Sequence, residues 1–224
     1  MGQELRMQII ARVQSDFSTK FGIPRQSGLV EKTTSRILFE EPYRKPEALR
    51  GLEGYSHLWL LWLFSESARE GWSPTVRPPR LGGNARMGVF ATRSPFRPNP
   101  IGLSCVKLLR IEGCELVVAG ADLMDGTPIL DIKPYLPFTD ARPDAVGGFS
   151  DAVRENRLTV VFPPDLAEKL PADLREALAE LLAEDPRPHS QDDPERIYGF
   201  PFAGHEVRFR VQGGELTVLS VELL

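Results

Sequence analysis

The sequence predicts a mainly β protein: an antiparallel β-barrel followed by a small α+β region. Three observations carry that prediction. Short runs of branched and aromatic residues recur through the first 140 residues, Gly and Pro punctuate them, and no long helical period interrupts them. This order favours an antiparallel barrel or sandwich over a βαβ sheet.

The elements follow in chain order. Met7–Val13 reads as the first strand, and a short helix is signalled near Pro46–Leu49. Ser56–Phe64, written SHLWLLWLF, is apolar on both faces, so it belongs at a sheet centre or in an interface. Gly88–Thr92, Ile101–Ile111 and Glu115–Ala121 read as three further strands. From Asp140 to Asn156 the chain turns small and polar around Pro143, Gly147 and Gly148, which reads as a linker. The division expected is a barrel over residues 1–145, a linker at 146–157 and a second unit at 158–224. Within the last, Leu158–Phe162 reads as a strand and Pro171–Glu184 as a helix, with leucines at 174, 178, 181 and 182 on one face. Pro186 and Pro188 end it. Glu206–Val211 and Leu216–Leu223 form a hairpin about Gly213-Gly214.

At 224 residues, 42% hydrophobic and 26% charged, the chain can bury a sizeable core, which excludes wholesale disorder and coiled coil. The longest apolar run, Leu58–Phe64, is too short to span a membrane, and no basic-then-apolar leader is seen. Cys105 and Cys114 are too few for a disulfide framework or a zinc cage. The expectation is a cytoplasmic protein with no membrane and no metal. The net charge of −4 conceals an asymmetry: residues 1–150 hold 19 Lys/Arg against 16 Asp/Glu, and residues 151–224 hold 8 against 15. Gly71–Ile111 holds Arg77, Arg80, Arg86, Arg93, Arg97, Lys107 and Arg110 without one acid. Such a stretch either attracts a polyanion or is balanced by acids that the fold brings to it.

Chemistry concentrates in two patches. Arg77–Ser104 is too rich in Pro and Gly to be mostly strand, and long irregular loops in compact domains tend to be functional. Arg93 and Arg97 flank Ser94-Pro95, and Pro98, Asn99 and Pro100 stiffen the chain after them, pre-organising two guanidinium groups for a carboxylate or phosphate. In Asp122–Phe138, Asp125-Gly126-Thr127-Pro128 is a turn signature. Asp131, Lys133 and Tyr135 then alternate on one side of an extended segment, as a surface ladder or as the lining of a polar cleft. His57, His189 and His205 lack metal-type spacing, and neither a Walker A sequence nor a G-x-G-x-x-G is present.

GVFATRSPFRPNPIGLS at Gly88–Ser104 and DGTPILDIKPYLPF at Asp125–Phe138 resemble the TrmO/TsaA-type tRNA methyltransferase family. PRQ at Pro24–Gln26, GLEGYSHLW at Gly51–Trp59 and RPPRLGGN at Arg77–Asn84 extend the likeness over nearly all of the first 140 residues. DPRP at Asp185–Pro188 and the IYGF after it resemble the extra domain of longer bacterial members. The resemblance implies a non-Rossmann barrel that uses S-adenosylmethionine. The resemblance further implies methylation of N6 of threonylcarbamoyladenosine at position 37 of the tRNA anticodon loop, by a homodimer with cofactor sites near the interface. It implies cofactor contacts at Pro24, Arg25, Gln26, Ser65, Glu66, Arg93, Leu103, Leu123, Met124, Asp125 and Gly126. Ser65-Glu66 departs from the His-Gln more usual there. Asp131, Lys133 and Tyr135 are the expected catalytic groups, because a urea-like acceptor nitrogen must shed a proton to free its lone pair. Arg86, Arg97, Asn99, Arg187 and Arg196 are the expected tRNA contacts. The competing readings are a non-catalytic RNA-binding barrel and a cofactor-binding protein that acts on a small molecule.

Overall fold

The computed structural model describes residues 5–67, 72–78, 85–152, 157–187 and 193–224. Arg80, the residues 79–84 of the RPPRLGGN run, Pro188, His189 and the linker's residues 153–156 lie outside the described residues. The first strands in order are β1 (Ala11–Gln14), β2 (Thr34–Phe39), β3 (His57–Leu63), β4 (Thr75–Val76) and β5 (Met87–Gly88). β6 (Ile101–Glu112), β7 (Glu115–Ala119) and β8 (Pro128–Pro134) follow. Six of them close into a barrel in the order β1-β2-β7-β6-β3-β8, with every neighbouring pair antiparallel. β4 and β5 form a separate two-stranded ribbon.

The barrel interior explains the alternation along β3. Leu58, Leu60 and Trp62 point inward and are buried, whereas His57, Trp59, Leu61 and Leu63 are half-buried on the outside. The strand is central, flanked by β6 and β8, as its doubly apolar sequence requires. Gly102 stands opposite Trp62 in this register, and a side chain there would strike the indole.

After the barrel come two single-turn helices, α1 (Pro137–Asp140) and α2 (Phe149–Ala152), then β9 (Thr159–Val161), α3 (Pro164–Ala167) and α4 (Ala172–Ala183). β10 (Tyr198–Phe202), β11 (His205–Gln212) and β12 (Glu215–Leu223) complete a sheet of order β10-β11-β12-β9, with β9 parallel to β12. α4 buries Leu178, Leu181 and Leu182 against this sheet. The short helix near Pro46–Leu49 is present as a 3-10 helix. Three elements differ from expectation. The first strand begins only at Ala11 and runs on to Gln14, and Gly88–Thr92 is one strand residue followed by a 3-10 turn at Val89–Ala91. The linker contains the helical turn α2.

The barrel and the second sheet keep separate cores, bridged by a loop of the barrel. Phe17 and Val30, from the loop between β1 and β2, are buried among Phe200, Phe202, Phe209 and the α4 leucines. Burying two such side chains is worth about 1.5–3 kcal/mol each. Gly22, at φ 88°, lays its backbone directly on the Phe200 ring. Polar ties reinforce the join: Arg25 donates through Nη2 to the Asp185 carbonyl at 2.7 Å and the Arg187 carbonyl at 3.3 Å. Lys32 Nζ meets Glu176 at 2.7 Å, and the Lys32 backbone N–H donates to Glu180 at 2.9 Å.

Candidate active site

The loop between β1 and β2, the β4–β5 ribbon, the Ala91–Phe96 segment and the end of α4 surround an open cleft of about 2260 Å³. Lys20, Arg25, Arg77, Arg86, Arg93, Arg157 and Arg187 line it, against Asp151, Glu184 and Asp185. The fold thus gathers cations from segments that are far apart in sequence, and local field lines in such a concave site attract anions. Of the predicted residues, Pro24, Arg25, Gln26, Arg86, Arg93 and Arg187 lie here.

A polar cluster leads inward from the cleft wall. Arg93 donates through Nη1 to Gln26 Oε1. Its charge also acts on Asp122, which accepts from Ser104 Oγ at 2.5 Å and from the Ser27 backbone N–H. Ser104 in turn accepts from Trp62 Nε1 at 2.9 Å inside the barrel. Burial raises the Asp122 carboxyl above the ordinary carboxylate range, and the hydrogen bonds and Arg93 only partly oppose it. Asp122, Ser104 and Ser27 escaped the sequence reading. Their signal was a lone hydroxyl at an inward position of an otherwise apolar strand, because Ser104 lies between Gly102 and Val106 in β6.

β6 also presents free backbone here. Its even positions bond β3, as Leu108 N–H does with the Ser56 carbonyl, and Cys105 N–H turns the other way, to Ser27 Oγ at 3.0 Å. β7 pairs no further back than Lys107, so the Leu103 N–H and C=O face an edge that β7 leaves open. The Leu123–Gly126 turn is heavily committed instead. Asp125 N–H donates to Phe17, Gly126 N–H to Val13, and Met124 C=O accepts both the Thr127 N–H and its hydroxyl. Asp125 itself accepts the Ser15 N–H at 3.0 Å, and Leu123 is buried in the barrel. Ser65 and Glu66 form a 3-10 turn beyond β3, where the Glu66 carbonyl takes the Lys20 ammonium.

The predicted catalytic residues lie outside the cleft. Asp131, Lys133 and Tyr135 stand on the outer face of the barrel, in rows with Leu61, Trp59 and His57 of β3 and Leu103, Cys105 and Lys107 of β6. Lys133 Nζ meets Asp131 at 3.0 Å, and the Tyr135 ring packs 5.6 Å from Trp59. Trp59 Nε1 and the Leu136 N–H both donate to Asp140 at 2.9 Å, which holds that carboxyl below its ordinary range. Leu103 is 52% exposed on this face.

The predicted RNA contacts divide. Arg86 reaches Thr75 Oγ1 at 3.2 Å and stays exposed on the cleft. Arg97 pins its own loop by donating to the carbonyls of Thr92 and Ser94, and exposed Asn99 accepts the Ile101 N–H. Arg187 forks Asp185 at 2.8 Å through both Nε and Nη2. This pairing outweighs burial and keeps the Asp185 carboxyl low. Arg196 lies over the Tyr198 ring, away from the cleft. Among the described residues no group of His, Cys, Asp and Glu could hold a metal, and no helix is long and apolar enough to cross a membrane.

Residues 12–141 match the tRNA-methyltransferase O N-terminal domain, and residues 155–224 match the TrmO C-terminal domain. The chain is 42% identical to the tRNA (adenine(37)-N6)-methyltransferase of Escherichia coli (strain K12), covering 95% of this chain and 96% of that protein. It is 52% identical to the enzyme of the same name from Eikenella corrodens, over 75% of this chain and 97% of that one. The crystal structure of TrmO from Pseudomonas aeruginosa superposes with a TM-score of 0.80 at 34% identity, covering 98% of this chain and 99% of that one.

Proposed function

Because the chain belongs to the TrmO family of tRNA methyltransferases, we propose that it methylates N6 of the adenosine at position 37 of tRNA, using S-adenosylmethionine. The observation that carries the reading is the Arg93–Gln26 pair on the wall of a cation-lined cleft, with the Asp122 carboxyl buried behind it within reach of the Arg93 charge. A guanidinium and a carboxylate side by side complement the carboxylate and ammonium of an amino-acid head group, so the donor set fits this cofactor. When bound, the cofactor supplies an electrophilic methyl group on its sulfonium. Arg93 and Gln26 would hold the carboxylate end, Asp122 would balance the ammonium from behind them, and the Leu103 backbone edge would read the adenine. Arg25, Pro24, Ser65, Glu66 and the Leu123–Gly126 turn shape the wall around it.

The acceptor is the threonylcarbamoyl form of the base, whose added carboxylate suits a spare arginine of this cleft. Two barrels pair through the β6-β3-β8 outer face, where Leu61, Trp59 and exposed Leu103 supply an apolar patch. Across that pairing, Lys133 stabilises the nitrogen as it loses its proton, Asp131 orients Lys133, and Tyr135 contacts the base. Arg86, Arg97 and Asn99 contact the anticodon stem-loop. Residues 1–145 are the catalytic unit, 146–157 connect, and 158–224 contribute Arg187 and Arg196 as a tRNA-binding accessory in the cytoplasm.

The test compares one tRNA with and without its threonylcarbamoyl group, with methylated nucleosides read by mass spectrometry. Methylation of the modified tRNA alone is expected. Equal rates would remove the threonylcarbamoyl substrate, and no methylation of either would remove the activity.

A further inference from the structure

The β4–β5 ribbon sets Arg86 among three groups that have no role in the methyl-transfer site: Trp72, Arg77 and Phe90. Thr75 pairs with Gly88 and Val76 with Met87, and the Val89 N–H donates to the Pro74 carbonyl at 3.0 Å. This register brings Trp72 and Phe90 together at the root of the ribbon, with ring centroids 6.2 Å apart and planes 32° from parallel. Both rings are open to solvent, Trp72 at 52% and Phe90 at 73%. At the other end Arg77 and Arg86 flank the last pair of the ribbon, Val76 with Met87, and among the described residues neither pairs with a carboxylate. Trp72, Arg77 and Arg86 all face the cleft.

Two large aromatics left in water and two like charges left adjacent are both unfavourable in the free protein. One ligand chemistry resolves both: a flat apolar ring joined to an anion within about 16 Å, the length of five extended residues. Single-stranded RNA has that chemistry, with bases that stack on aromatic rings and phosphates that take guanidinium groups. A second copy of this chain supplies no polyanion for the arginines, since its own cleft is lined mostly by cations.

We propose that the β4–β5 ribbon is an RNA-reading finger, in which Trp72 and Phe90 stack an unpaired anticodon-loop base next to residue 37 while Arg77 and Arg86 hold its phosphates. The proposal rests on the tRNA reading above and names the residues that would present the target base to the cleft. The finger is sequence-tolerant, since every base has a stacking face.

The probe is a synthetic anticodon stem-loop RNA carrying 2-aminopurine at the nucleotide that follows residue 37, titrated into the full-length protein. Wild-type protein changes the 2-aminopurine emission on binding. Trp72→Ala abolishes that change and weakens RNA binding about 5- to 150-fold, the range for one base stacked on an aromatic ring. Trp72→Phe restores most of the loss. The salt dependence of affinity is unchanged in Trp72→Ala, whereas an Arg77→Gln, Arg86→Gln pair lowers its slope by about 1.4. Cofactor affinity and oligomeric mass stay at wild type in Trp72→Ala.

Wild-type RNA affinity in both Trp72→Ala and Phe90→Ala overturns the finger. So does a loss of affinity that follows a drop in oligomeric mass, which would mean that a second copy covers the rings, or an equal loss of cofactor affinity. If the variants fail these tests while the wild type still methylates tRNA, the finger alone falls. If the wild type neither binds nor methylates tRNA, the underlying function falls and takes the finger with it.

Discussion

Gly22→Ala tests whether the cleft loop is held by the second sheet. Two costs act at this position. The backbone has φ 88°, a region that costs an L-residue about 1–2 kcal/mol. The new Cβ would also lie 2.7 Å from Phe200 Cε2 and 2.9 Å from Cγ, well inside contact distance. Phe200 is fully buried and cannot swing away, so overpacking adds about 1–3 kcal/mol. The sum is about 2–5 kcal/mol. Gly28→Ala isolates the first cost, because its φ is 79° and nothing lies within 4 Å of the added atom. Urea denaturation followed by tryptophan fluorescence should therefore place Gly22→Ala below Gly28→Ala by about 1–3 kcal/mol. Equal stability of the two variants would refute the reasoning, because the Phe200 contact would then contribute nothing.

Arg93→Ala removes the cation beside Gln26 and Asp122 and should weaken S-adenosylmethionine binding about tenfold or more by calorimetry; unchanged affinity would place the head group elsewhere. Asp122→Asn should show a pH signature in thermal unfolding. At pH near 4 and above, the unfolded carboxyl ionises while burial keeps the folded one protonated further up, so the native state binds more protons and loses stability as pH rises. The variant lacks this loss, so its Tm relative to the parent should climb from pH 4 to pH 7, and a flat difference would contradict the burial argument. Leu103→Asp puts a charge on the outer barrel face and should halve the mass seen by light scattering; an unchanged mass would remove the barrel-to-barrel pairing.

Strands were legible where one face is wet and the other dry. β11 and β12 alternate cleanly, and β3 announced its central place through apolar residues on both faces. β10 was hidden because Gly199 and Pro201 in its YGFPF run read as loop, although both occupy an edge strand paired only to β11. Gly88–Thr92 failed for the opposite reason: its branched and aromatic residues suit a strand, but the chain turns at Val89 and leaves Phe90 outside. At the site, the arginines of the acid-free stretch were visible as a run, whereas their destinations were not. Arg93 of that stretch ends on Gln26, and Arg25, from outside it, ends on the carbonyls of residues 185 and 187, about 160 residues away, contacts that no local pattern encodes. Asp122 looked like any acid before a turn, because its burial depends on Ser104 and Trp62 arriving from other strands.

The bridging loop has a consequence for synthesis. The barrel is complete once Pro134 has emerged, yet Phe17 and Val30 have no core to enter until β10, β11 and β12 exist. At ordinary translation speeds that interval is on the order of ten seconds. For that time a nascent chain holds a closed barrel with an unanchored cleft loop. A product truncated before β12 would keep the closed barrel but leave Phe17 and Val30 without the core they pack into.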